Sequence, residues 1–373
     1  MTRWMGTIVI NLILVLTLSL AVTGCSKKQD QKDESKAAST ADVNETSTRE
    51  ATEPVREKED NSVTIYVSVD KQVAEPILKA FEESSGIRVL AQYDTELTKT
   101  TGLVARLRDE HTRGRPNADV FWSGEPFNTI RLAEEGVFEK SNAELDFTPR
   151  WKDQGNLWFG FAARARVLAY ASDRVKAEEL PHLWMDLANP RFSGRLAMAN
   201  PAFGTTEGHI AALYDLFGEI TTDRFLEKLA AENILIVGGN SLAVQRLVDG
   251  EVDFAVTDTD DVWAARGRGE KVEMLLLRHT DLPGGGPMFI PNTLARVAEC
   301  RHPEAADKLI SYLLSKDVER TLAESYSHNF PTHPDLLTDF PDLSIEDPLD
   351  LPLSEIAGHL DDAIRASNEI LGK

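Results

Sequence analysis

The chain has 373 residues, 42% of them hydrophobic, and a formal net charge of -21. That acidity argues against nucleic acid and against an anionic membrane surface as partners. Two cysteines leave no disulfide framework, and the length beyond the first sixty residues exceeds what one core usually serves, so two lobes are expected.

The N-terminus reads as a targeting segment. Arg3 precedes an apolar run over 8–22, and Val22-Thr23-Gly24-Cys25 resembles a bacterial lipobox, so 1–24 is expected to be a lipoprotein signal peptide. The run is short for a spanning helix and Asn11 interrupts it. Cleavage would leave Cys25 at the new terminus to carry the lipid that anchors the protein outside the cytoplasm. Residues 25–61 are dense in Lys, Asp, Glu, Ser and Thr and hold no apolar period. They read as a disordered tether.

The globular pattern begins near 62. A strand over 63–69, a helix over 73–83 and a strand over 87–93 make a β-α-β opening. A helix over 97–111, a strand over 118–122, a helix over 129–135 and strands over 158–162 and 166–170 follow. A short helix over 184–187, a strand over 196–199 and helices over 205–217 and 222–233 come next. Strands over 234–237 and 254–257 flank a helix over 241–249, and a strand over 288–290 and a helix over 303–314 lead to shorter helices that end the chain. Alternating strands and helices predict two mostly parallel sheets.

In open α/β sheets ligands sit beyond the carboxyl ends of strands and at helix N-termini. The residues in those places are Ser68 and Asp70, then Ser123 and Glu125, then Asp258, Asp260 and Asp261. The three aspartates lie within four residues and repel one another unless a cation or donors relieve them. Gly204-Thr205-Thr206 and Asn240-Ser241 open helices with small or hydroxylated residues, able to cap the helix or to cradle an anion. No nucleophile-elbow, zincin or Walker motif occurs. The enzyme alternative is a metal-dependent hydrolase built on the aspartates.

Several stretches taken together are similar to one family. Ile65-Tyr66-Val67-Ser68, Pro76-Ile77-Leu78, Ala118-Asp119-Val120-Phe121-Trp122-Ser123, Arg164-Ala165-Arg166-Val167, Asn240-Ser241-Leu242-Ala243-Val244-Gln245 and Gly250-Glu251-Val252-Asp253 resemble, in order, the bacterial ferric-ion-binding proteins. These are the iron(III)-type solute-binding proteins of ABC transporters, and the similarity runs from about 63 to about 334.

The resemblance implies a type II-like, two-lobe periplasmic-binding-protein fold with the ligand in the cleft. It implies one lobe at 62–163 plus 281–330, the other at 164–280, and C-terminal helices over 331–373 packing back on them. It further implies a monomer that serves an importer's permease and ATPase and needs no resident cofactor. Where many relatives hold iron with adjacent tyrosines, this sequence has Asp260-Asp261. Asp70 falls near the family's histidine and Glu125 at its glutamate, while Gly204, Thr205, Thr206 and Asn240, with Ser241 beside them, match positions that contact an anion.

Phenolate ligation is therefore absent, and a carboxylate set suits hard ions generally. Two ligands remain open. One is a hard metal ion, iron(III) included, with a synergistic anion. The other is a phosphorylated or phosphonate-type organic solute seated at the helix N-termini, with Arg164 in reach of its anion.

Overall fold

The structure is a computed structural model that describes residues 61–94 and 101–372. The signal segment, Cys25 and the tether up to residue 60 lie outside the described residues. In chain order the elements are β1 (Ser62–Val67), α1 (Lys71–Ser85), β2 (Arg88–Tyr93), α2 (Thr101–Thr112), β3 (Val120–Ser123), α3 (Phe127–Glu134), β4 (Phe138–Glu139) and β5 (Trp158–Ala171). Then come β6 (Leu196–Ala199), α4 (Gly204–Phe217), α5 (Glu219–Ala231), β7 (Leu235–Val237), α6 (Asn240–Val248), β8 (Phe254–Asp258), α7 (Thr259–Gly267), β9 (Val272–Leu275) and β10 (Phe289–Val297). Helices α8 (Pro303–Leu313), α9 (Lys316–Glu324), α10 (Leu353–Gly358) and α11 (Leu360–Ala366) complete the chain.

The opening follows the apolar periods. Helix α1 buries Val73, Ala74, Ile77, Leu78 and Phe81, which recur at helical spacing, and ends at Gly86, whose φ of 70° lets its N–H reach the Glu82 carbonyl. Strand β1 lies between β2 and β3, parallel to both. It is buried on both faces, as its near-continuous apolar sequence requires.

Two sets of strands arise because β5 changes partners along its length. Its first part pairs antiparallel with β10, from Trp158 opposite Ala295 to Ala165 opposite Phe289. From Arg166 onward it pairs antiparallel with β8, and from Leu168 with β9. The strand path therefore runs β2-β1-β3-β10-β5-β8-β6-β7. The expectation of two strands at 158–162 and 166–170 is corrected to one strand of 14 residues. Ala162, at φ 40°, bends it near the crossing.

The sheets are also less parallel than expected. Pairs β1/β2, β1/β3, β6/β7 and β6/β8 are parallel, but every pairing that involves β5 or β10 is antiparallel. Those two strands cross between the sets without the helical return that a parallel neighbour needs. Strand β10 runs well past the expected 288–290, since a register shift between Ile290 and Asn292 absorbs Pro291.

After α9, Phe330 bridges to Ala163, and the chain then crosses to α10 and α11. Helix α10 touches both α3 and α4, while α11 lies on α4 with Leu360, Ala363 and Ala366 fully buried. Among the described residues no helix is long and apolar enough to cross a membrane.

Candidate functional site

The carboxyl ends of β1, β3, β6 and β8 and the starts of α1, α4, α6 and α7 open onto one cavity of about 110 Å³. Its wall includes Ser68, Asp70, Glu125, Arg164, Gly204, Thr205, Thr206, Asn240, Ser241, Asp260 and Asp261, the greater part of the residues singled out from the sequence. Ser123 and Asp258 are not in the wall: both are fully buried, Ser123 inside β3 and Asp258 at the end of β8.

On the β1 side, Ser68 Oγ accepts from the Gly124 N–H at 2.9 Å and so ties together the loops that carry Asp70 and Glu125. Asp70 is the N-cap residue of α1. Glu125 starts α3: its Oε2 accepts from the N–H groups of Phe127 at 2.7 Å and Asn128 at 3.1 Å. Its Oε1 is buried with no hydrogen-bond partner among the described residues. Burial pushes this carboxyl up to about 7, against the backbone donors and Arg164. Glu207, on α4, is pushed up to about 8, first by burial and then by the Glu125 charge.

Strand β5 supplies two arginines that point into this region. Arg164 reaches Asp260 Oδ2 at 3.1 Å and Asp258 Oδ2 at 3.5 Å, and it donates to the Gly124 carbonyl. Burial works against its charge, but Asp260 and Asp258 more than offset that and hold its pKa above the ordinary arginine range. Arg166 is fully buried and donates to Asp258 Oδ1 at 2.8 Å, Thr205 Oγ1 at 3.2 Å, Asn240 Oδ1 at 3.3 Å and Thr206 Oγ1 at 2.6 Å.

Asp258, Asp260 and Asp261 bring one oxygen each within 4.8 Å of the others. Both oxygens of Asp258 are already engaged: Arg166 donates to Oδ1, while Thr205 at 2.7 Å and Asn240 at 2.9 Å donate to Oδ2. Asp260 and Asp261 stand in the first turn of α7, where the helix dipole favours negative charge, and Thr257 Oγ1 donates to Asp261 at 2.7 Å. The hydrogen-bond ladders of α4 and α6 begin at Glu207 and Ala243, so both helices turn their open N-terminal ends toward the cavity.

Sequence reasoning passed over Arg166. The signal was available: in an otherwise apolar strand, residues two apart share a face, so Arg166 accompanies Arg164, and a buried arginine needs a carboxylate. It also missed Asn292, Ser327 and Asn329 of the wall, which carry no motif. Trp122 and Trp158 are core residues, and Trp263 meets His328 in a tilted ring contact with centroids 4.5 Å apart; none of the three is in the cavity wall.

The profile of the bacterial extracellular solute-binding protein family matches residues 115–345, more than half of the chain. The chain belongs to that family. As a solute-binding protein it serves transport and is not an enzyme, which removes the hydrolase alternative.

The major ferric iron-binding protein of Neisseria meningitidis is 24% identical over 287 residues, 74% of this chain and 83% of its own. A putative 2-aminoethylphosphonate-binding periplasmic protein of Salmonella typhi is 25% identical over 247 residues, 62% of this chain and 71% of its own. Among solved structures, iron-bound HitA from Pseudomonas aeruginosa superimposes with a TM-score of 0.71 at 24% identity, covering 83% of this chain and 99% of that one. The likeness establishes the two-lobe fold of the periplasmic binding proteins.

Proposed function

We propose that this solute-binding protein captures a hard metal ion, iron(III) together with a companion anion, in the cavity between its lobes, and delivers it to the permease and ATPase of an ABC importer. The observation that carries the reading is the convergence of Asp70, Glu125, Asp260 and Asp261 on one cavity from three separate parts of the chain. All offer oxygen, the donor that hard cations take.

The charge balance supports a highly charged cation. Arg166 and Asp258 cancel, which leaves four carboxylates against the one guanidinium of Arg164. A cation beside the buried Oε1 of Glu125 would oppose the effect of burial and favour its charged form. The starts of α4 and α6 face the same space and offer N–H groups to the anion. The ferric name of the Neisseria relative agrees with this chemistry.

On this reading the lobes are 62–163 with 281–330 and 164–280, the helices of 331–373 pack back on them, and the protein acts as a monomer. The lipid on Cys25 holds it at the membrane, with residues 26–61 as the tether.

One observation favours a second reading. Arg164 already occupies Asp260, so an organic solute with a phosphate or phosphonate group would find donors at Arg164 and the helix starts, and acceptors for an ammonium group at the aspartates. The name of the Salmonella relative fits that solute class.

Metal analysis of protein purified without chelator, paired with thermal shifts, separates the two. The iron reading expects stoichiometric iron and a large upward shift with iron(III)-citrate, because a ligand at about 100 times its Kd adds about 2.7 kcal/mol. Metal-free protein stabilised only by organophosphates would establish the second.

A further inference from the structure

We propose that Arg166 is the positioning residue of the anion seat: its guanidinium, held on Asp258 through Nη1 and on Thr206 through Nη2, fixes the starts of α4 and α6 so that the anion meets their backbone N–H groups and not the side chains of Thr205, Thr206 and Asn240. This rests on the anion being seated at those two helix starts, as the functional reading has it.

The donor inventory carries the argument. Thr205 has one hydroxyl proton, and it goes to Asp258 Oδ2 at 2.7 Å. The hydroxyl proton of Thr206 goes to Asn240 Oδ1 at 3.3 Å. The two amide protons of Asn240 go to Thr205 Oγ1 and Asp258 Oδ2, both at 2.9 Å. No side-chain proton of the three residues is left for a ligand.

Arg166 organises this closed set. Its planar guanidinium reaches Thr205 and Asn240 with Nη1 and Thr206 with Nη2, joining β5 to α4 and α6 while Asp258 at the end of β8 cancels its charge. Arg166 and Asp258 are both fully buried, so neither touches solvent or solute. A buried ion pair of this kind is weak evidence for stability, since apolar replacements of similar volume are often neutral or stabilising. Alignment of the two helix starts is the role that remains. Lysine would keep the charge but lose the fork.

The test uses the full chain and measures two quantities: the phosphate concentration giving half the maximal thermal shift, and iron retained against citrate at saturating phosphate. Arg166→Lys, and the paired Arg166→Met with Asp258→Leu, are compared with the wild type. The expected result is folded protein in both cases, a phosphate requirement raised at least tenfold, and iron retention at saturating phosphate within twofold of wild type. Arg166→Lys with a wild-type phosphate response would overturn the proposal, because charge alone would then suffice. Should the paired variant fail to fold, Arg166→Lys decides. Wild-type protein that retains iron but ignores phosphate overturns the proposal and leaves the iron reading intact. Protein that responds to phosphate but retains no iron overturns that reading and leaves the seat to be tested by the same variants.

Discussion

Replacing Gly208 with alanine tests how closely α3 and α4 must approach for the cavity to bind. A Cβ at Gly208 would lie 2.0 Å from Phe127 Cε2, 2.2 Å from Cδ2 and 2.6 Å from Cζ. Carbon atoms settle at about 3.5–4.0 Å, so the ring or the helix must yield by roughly 1.5 Å. Phe127 is fully buried and cannot swing aside, and its N–H is held by Glu125 in the cavity wall. Overpacking of this kind costs about 1–3 kcal/mol. If the contact is made in the ligand-bound state, the loss appears as a roughly 5- to 150-fold weaker affinity, at about 1.4 kcal/mol per factor of ten. Titration of Gly208→Ala with iron(III)-citrate, alongside its Tm, measures the effect, and Phe127→Leu in the same background should restore most of it. Unchanged affinity with a lowered Tm would refute the link between this contact and binding.

Asp260→Asn with Asp261→Asn should abolish iron retention while leaving a phosphate-induced thermal shift, read by metal analysis and differential scanning. The pH profile of ligand-free stability follows from four buried groups. Glu125 and Glu207 are raised from 4.5, so their contribution is complete below pH 4.5 and is lost as pH rises through about 7 and about 8. Burial depresses His209 and His279, the latter to about 4, so theirs is complete above pH 6.5 and is lost as pH falls. The two trends oppose between pH 4.5 and 6.5, and above 6.5 the glutamates act alone. Tm should therefore decline from pH 6.5 to 8, and Glu207→Gln should raise Tm at pH 8 and flatten the decline. Leu360, fully buried in α11, lies beyond the residues that match the family profile. Leu360→Ala should nonetheless lower stability by about 2–5 kcal/mol in denaturant titrations if the C-terminal helices belong to the folded body.

The sequence was most legible where local physics decides the outcome. The β1-α1-β2 opening, the helix starts at Gly204 and Asn240 and the strand ends that carry Asp70 and Glu125 all followed from apolar periods and small residues at turns. Strand β5 was read as two pieces, with Arg164 in the gap at 163–165 and Arg166 opening the second piece, yet both arginines are satisfied by aspartates distant in sequence. Pro291 likewise reads as a stop until the register shift beside it is known.

Site chemistry was legible by residue type more than by direction. Thr205, Thr206 and Asn240 line the cavity, but their side-chain donors turn to one another and to Asp258. Asp258 was grouped with Asp260 and Asp261 because three carboxylates stand close in sequence. Strand geometry points it to the buried pair instead, and no local pattern announces which face a strand's last residue takes.

The most direct measurement of the central claim is anomalous diffraction at the iron edge from crystals soaked in iron(III)-citrate with phosphate. The account predicts a single peak in the cavity, within bonding distance of oxygens of Asp260, Asp261 and Glu125 or Asp70, with phosphate against the starts of α4 and α6. A cavity without an iron peak, or one filled by an organic solute with the carboxylates on its ammonium groups, would contradict it.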